Sequence, residues 1–295
     1  MPRTLRVALI QDRNRGDREA NLDAIERSVA RAAEAGAKLV LLQELHNGPY
    51  FCQRECVDEF DRAEAIPGPS TERLSHLAKR HDLVLVASLF ERRAAGLYHN
   101  TAVVFERDGS MLGKYRKMHI PDDPGFMEKF YFTPGDLGFR PIETSVGKLG
   151  VLVCWDQWYP EAARLMSLAG AEMLLYPTAI GWDPTDAADE KERQRDAWVT
   201  VQRGHAVANG VPLLACNRVG FEESPDTPGK GIEFWGTSFV AGPQGELIAQ
   251  SGTADPDVLV ADVDLSRSEN VRRIWPFLRD RRIDAYDDLL KRFRD

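Results

Sequence analysis

A chain of 295 residues, 43% hydrophobic and 28% charged, has an ordinary globular make-up and is long enough to bury about 75% of its unfolded surface. Its net charge of −8 excludes the basic footprint of a general nucleic-acid binder and is compatible with a cationic small-molecule substrate. No apolar run approaches the roughly 18 residues of a membrane span, and the four scattered cysteines Cys52, Cys56, Cys154 and Cys216 form no disulfide framework, so a cytoplasmic protein is expected.

In chain order, Leu5–Gln11 reads as a strand, not a signal peptide, because Arg6 interrupts a short apolar run. Arg18–Ala35 places Leu22, Ile25, Val29 and Ala33 on one face of a helix, which Gly36 ends. Lys38–Glu44 is a strand apolar on both faces, as in a layered α/β fold. His46–Pro69 is loop, and Ser70 is the predicted cap of a helix running to about His81. Strands follow at Leu83–Glu91 and Tyr98–Glu106, with a turn at Asp108-Gly109. Met118–Pro141 is a long loop, a kind that is usually functional.

The second half repeats the first. "AGAKLVLLQE" (35–44) matches "AGAEMLLYPT" (169–178), "RVALIQDR" (6–13) resembles "GVLVCWDQ" (150–157), and "NTAVVFERDGSMLGK" (100–114) resembles "GTSFVAGPQGELIAQ" (236–250). Such a duplication predicts two related sheets sharing one core, with helices outside: an α-β-β-α sandwich. No flexible linker divides the halves, so residues 1–265 are expected to form a single domain. Residues 266–295 form a charged tail bearing Trp275, Phe277, Leu278 and Tyr286, expected at a subunit interface.

Three residues stand out. Cys154 ends the apolar run Leu149–Val153 and precedes a helix expected from Pro160. A thiol at that corner faces a cleft, beside backbone N–H groups that stabilise a thiolate or an oxyanion. Glu44 closes the strand "KLVLLQE", and Lys117 opens the long loop, in which Glu128 is placed to pair with it. No H-E-x-x-H pair occurs, Cys52 and Cys56 are a lone C-x-x-x-C, and no phosphate-binding glycine motif is present, so neither metal nor cofactor is expected.

"LVLLQEL" with Glu44, "KYRKMHIPDDPGFMEKFYFTPGD" with Lys117 and Glu128, and "GVLVCWDQWYPEAARLMSLAGAEMLLYPTAIG" with Cys154 resemble the nitrilase superfamily of carbon–nitrogen hydrolases over nearly the whole chain. "CWDQWYPEAARL", "YPTAIG" and "FWGTSFVAGPQGEL" resemble most closely the branch acting on N-carbamoylputrescine. The resemblance implies a Glu-Lys-Cys triad, an α-β-β-α sandwich and dimers that often assemble further through their tails. It also implies an acidic residue meeting the substrate's amine at the place where Asp183 stands, with Glu190 as the second candidate.

The chemistry needs a nucleophile, a proton shuttle and an oxyanion site. These roles fall to Cys154, to Glu44, and to Lys117 with the backbone N–H of Trp155. Glutamate is a weak base at its ordinary pKa of roughly 4.3, so the role calls for a shielded pocket. Trp155, Trp182 and Tyr50 are candidate walls of a channel for a methylene chain. The rival readings are a β-ureido acid hydrolase, an ω-amidase, a true nitrilase, a Cys-His hydrolase using His119, and a non-enzymatic interaction protein.

Overall fold

The computed structural model describes residues 3–294. The elements are β1 (Thr4–Gln11), α1 (Arg18–Glu34), β2 (Leu39–Leu42), α2 (Pro69–His81), β3 (Val84–Ala94), β4 (Leu97–Phe105), β5 (Met111–Arg116), β6 (Ile142–Thr144), β7 (Gly147–Val151) and α3 (Pro160–Leu168). They continue with β8 (Met173–Thr178), β9 (Gly181–Trp182), α4 (Ala188–Asn209), β10 (Leu213–Asn217), β11 (Val219–Glu223), β12 (Gly231–Trp235), β13 (Phe239–Ala241), β14 (Leu247–Gln250), β15 (Asp257–Asp264) and α5 (Ser266–Ile274).

One sheet has the order β15-β1-β2-β3-β4-β5 and the other β14-β13-β10-β8-β7-β6. Without the added edge strands β15 and β6, the two are copies. In each, three parallel strands (β1-β2-β3 and β7-β8-β10) continue into two antiparallel ones (β4-β5 and β13-β14). The sequence repeat is thus a repeat of topology. β15 and β6 also join equivalent edges, each antiparallel to the first strand of its half.

Residues alternate along each strand between two cores, because successive side chains point to opposite faces. Val7, Leu9, Leu39, Leu41, Val84 and Val86 pack between the sheets with Leu149, Leu175 and Leu214. Ala8, Ile10, Val40, Leu42 and Leu85 face the other way, onto Ile25 and Val29 of α1 and Leu74 and Leu77 of α2. Truncating one such leucine to alanine costs about 2–5 kcal/mol. The result is the expected α-β-β-α sandwich.

Some boundaries differ from the sequence reading. β2 stops at Leu42, so Glu44 lies in the turn after the strand and not on its last residue. Ser70 is not the cap of α2. Gly68 holds that place, its N–H donating to Thr71 Oγ1 at 2.7 Å, while Ser70 Oγ donates to Glu64. β7 ends at Val151, and a single 3-10 turn over Cys154–Trp158 intervenes before α3. Asp156 makes that turn by accepting the N–H of Val153 at 2.9 Å, and Pro160, which lacks an N–H, then starts the helix. Beyond β15, α5 and two 3-10 turns leave Ile274, Trp275, Phe277, Leu289 and Phe293 exposed. Asp295 lies outside the described residues.

Candidate active site

The parallel strands of both sheets point their carboxyl ends to one edge of the sandwich. There the two halves touch: the N–H of Glu44 donates to the carbonyl of Thr178 at 3.3 Å, and these residues are equivalent in the sequence repeat. The repeat has therefore brought a carboxylate from one half against the strand end beside the thiol of the other.

Glu44 sits in a turn held from behind by Arg218, a fully buried cation. Its guanidinium donates to the carbonyls of Leu45 at 2.7 Å and Gly48 at 3.1 Å, and pairs with Glu222 at 2.5 Å. This fastening holds Leu45 at φ 48°, a conformation costing on the order of 1–3 kcal/mol in a non-glycine residue. Beneath the turn lies an aromatic cluster including Phe51, Phe90, Tyr131 and Phe132, with Phe51 and Phe90 stacked at 4.8 Å.

Lys117 leaves the end of β5 with its N–H on the carbonyl of Asn100 at 2.9 Å. Its side chain is fully buried, and Nζ lies 2.9 Å from Glu44 Oε1 and 2.6 Å from Glu128 Oε2. Burial opposes the ammonium charge, but the carboxylates of Glu128 and Glu44 outweigh it and hold the Lys117 pKa well above its usual value. Glu128 is itself pushed up by burial and by the charge of Glu44, against the pull of Lys117. Tyr50 caps the far side, donating from its hydroxyl to Glu128 Oε1 at 2.7 Å.

Cys154 has φ 41°, again in the left-handed region, and so projects its thiol sharply from the chain. It opens the 3-10 turn, where the first N–H groups, its own and that of Trp155, have no acceptor within the turn. Burial raises the thiol pKa well above its usual value, Glu44 raises it further, and Lys117 opposes both. The resting group is a neutral thiol within the field of the other two charges. Glu44 Oε2 is buried without a partner. A carboxylate with one oxygen fixed and the other unengaged, beside a protonated thiol, is an arrangement for proton abstraction.

The turn that carries Cys154 and the lysine are clasped together by Asp156. This fully buried carboxylate accepts the Val153 N–H at 2.9 Å, the Tyr115 hydroxyl at 2.8 Å, the His119 N–H at 3.0 Å and the His119 ring Nδ1 at 2.7 Å. The His119 ring lies flat on Tyr159, 3.8 Å between centroids. His119 is thus engaged with Asp156, and a Cys-His pair gains no support.

Cys154 opens onto a cavity of about 720 Å³, which Trp155, Asp183 and Glu190 line together with Asp123, Trp158 and Asp186. Two of the expected walls lie elsewhere. Tyr50 is buried behind Glu128, and Trp182 packs on Trp235 with its Nε1 donating to the Lys191 carbonyl at 2.8 Å. The loop over the cavity starts from β9. A Cβ on Gly181 would stand 2.4 Å from the Glu233 carbonyl oxygen, so only glycine lets β9 pair with β12 there. Among the described residues no cluster of three or more His, Cys, Asp or Glu side chains is arranged to hold a metal, and no helix is long and apolar enough to cross a membrane.

Sequence reasoning missed Asn100, Arg218, Asp156 and Asp123. Asn100 had a signal: "HNT" (99–101) is a polar run inside a strand that is otherwise apolar and buried, and buried polar groups there need partners.

Residues 6–273 match the carbon-nitrogen hydrolase family. The chain belongs to that family. This hydrolase is 46% identical over 290 residues to the N-carbamoylputrescine amidase of Solanum lycopersicum, covering 98% of this chain and 95% of that one. It is 40% identical to the citrullinase of Francisella tularensis, over 98% of this chain and 99% of the other. The crystal structure of a carbon-nitrogen hydrolase from Helicobacter pylori G27 superposes with a TM-score of 0.96 at 55% identity, covering 99% of this chain and 100% of that one.

Proposed function

We propose that this hydrolase cleaves the ureido group of N-carbamoylputrescine, giving putrescine, CO2 and ammonia, as a step in polyamine synthesis. The observation that carries the reading is the charge of the cavity above Cys154. Asp123, Asp183, Asp186 and Glu190 line it, and its one cation among the described residues, Arg193, is paired with Asp189 and Glu190. An ammonium at the far end of a short chain suits that surface. The carboxylate of a β-ureido acid, or of a dicarboxylate monoamide taken by an ω-amidase, meets repulsion there.

In this reading Cys154 Sγ attacks the ureido carbonyl carbon while its proton passes to Glu44 Oε2. Lys117 and the backbone N–H of Trp155 stabilise the tetrahedral oxyanion, each such donor being worth about 2.7–4 kcal/mol at the transition state. Glu44 delivers the proton to the leaving nitrogen, then takes one from the water that displaces sulfur from the carbamoyl thioester; the carbamic acid so released breaks its remaining C–N bond on its own, giving CO2 and the second amine. Glu128, steadied by Tyr50, holds Lys117 as the charged donor. Asp183 and Glu190 favour entry of the cation.

Residues 1–265 act as one domain under this reading. The exposed apolar side chains of the 266–295 tail support a homo-oligomer built through it, and four free thiols suit the cytoplasm.

Ammonia release from a panel tests the assignment: N-carbamoylputrescine, citrulline, N-carbamoyl-β-alanine, a dicarboxylate monoamide and a nitrile. The first is expected to have the highest kcat/KM. Turnover confined to the anionic compounds defeats the proposal.

A further inference from the structure

Asp123 stands in the loop between Lys117 and Glu128, the two residues that meet in the buried ion pair, and it lines the same cavity as Cys154. The other cavity acids are engaged. Asp183 Oδ1 accepts the Thr185 N–H at 2.8 Å and its hydroxyl at 2.7 Å. Asp186 Oδ2 accepts from Gln194 at 3.2 Å, and Glu190 is held by Arg193 at 2.8 Å and by Gln194 at 3.3 Å. Asp123 Oδ1, in contrast, is buried and meets no donor among the described residues.

The loop holds this carboxylate in place. The Phe126 N–H donates to the Asp123 carbonyl at 2.8 Å across a tight turn, closed by Gly125 at φ 81°. Pro121 and Pro124 stiffen it on either side. The Phe126 ring packs on Tyr50 at 5.6 Å, and the Met127 N–H donates to the Cys52 carbonyl at 2.8 Å. The position is therefore fixed by the same packing that fixes Glu128. Burial raises the Asp123 pKa above its usual value, outweighing its own backbone N–H and the charge of Lys117, which lower it.

We infer that Asp123 is the residue that receives the distal ammonium of the substrate, and that it selects cationic ureido compounds over neutral ones of the same length. Asp183, more exposed and already engaged by Thr185, serves at the mouth. This rests on the reading that the cavity takes a ureido amine.

The test compares kcat/KM for N-carbamoylputrescine with that for N-pentylurea, in which a methyl group replaces the ammonium. The wild type, Asp123→Asn and Asp183→Asn are measured on both. The wild type is expected to prefer the cation by at least about tenfold. Asp123→Asn is expected to reduce that ratio at least about tenfold, chiefly through KM for the cation, and Asp183→Asn to reduce it less. A structural role alone would lower both substrates together and leave the ratio intact, which would overturn the inference, as would a larger loss of ratio in Asp183→Asn. A wild type that prefers the neutral urea, or ignores both, overturns the functional reading itself.

Discussion

Asn100 donates from Nδ2 to Oε1 of Glu44 at 2.6 Å, the same oxygen that Lys117 holds. Ser88 steadies Asn100 in turn, donating to its Oδ1 at 3.0 Å. Two donors on one oxygen fix the rotation of the carboxylate and leave Oε2 unengaged, free to act as the base in the proposed reaction. Asn100→Ala removes one of them without touching charge. Expected is a fall of about tenfold in kcat with KM changed by less than twofold, read from steady-state kinetics. An unchanged kcat would mean that Lys117 alone orients the carboxylate.

The base is expected to be Glu44 and not His119. The His119 ring is committed to Asp156 and Tyr159. Glu44→Gln is predicted to abolish turnover, by 10³-fold or more on the order of magnitude found for essential acid–base and nucleophilic groups. His119→Ala is predicted to retain turnover within about tenfold, the loss arising from a looser nucleophile turn. Alkylation of the thiol by iodoacetamide distinguishes the two accounts further. A Cys-His pair would lose that reactivity in His119→Ala.

Glu91 gives the strand pair that ends at Lys117 a pH-dependent stability. Burial alone would raise its pKa, but hydrogen bonds from Arg116 at 2.8 Å, Lys114 at 2.6 Å and Thr101 at 2.6 Å outweigh that and bring it down to about 2. The folded value lies below the unfolded value of 4.5. The stabilisation is therefore present above about pH 4.5 and is lost as pH falls toward 2. A shift of this size corresponds to about 3 kcal/mol. Glu91→Gln is expected to be less stable than wild type by roughly that amount in urea unfolding at pH 7. The gap should close between pH 4.5 and 2; a gap of equal size at pH 3 and pH 7 would show that the contribution is packing and not charge.

The duplicated strands were legible because both faces of a central strand must be apolar, and that pattern survives in each half: Leu39–Leu42 and Met173–Thr178 are buried throughout. Glu44, Lys117 and Cys154 were legible because charge and sulfur at strand ends interrupt that pattern, and a family resemblance tied the three together. Arg218 was not legible. Its signal is burial, and a buried arginine is visible only when the carbonyls of Leu45 and Gly48 that it serves are placed. Tyr50 and Trp182 were assigned to the cavity on aromatic character alone, which cannot say whether a ring faces a channel or another ring. Trp182 faces Trp235, and the Tyr50 hydroxyl reaches Glu128. Asp123 and Asp122 are indistinguishable in sequence; only the turn closed by Phe126 separates the cavity residue from its neighbour.

In the proposed reaction, Cys154 Sγ attacks the ureido carbon within reach of Glu44 and Lys117. Intact-protein and peptide mass spectrometry on samples quenched during turnover of N-carbamoylputrescine measures this most directly. The predicted result is a transient adduct on the peptide containing Cys154, absent from Cys154→Ala, which is folded but inactive. A Cys154→Ala protein that still releases ammonia, or an adduct carried on Cys52 or Cys216 instead, would contradict it.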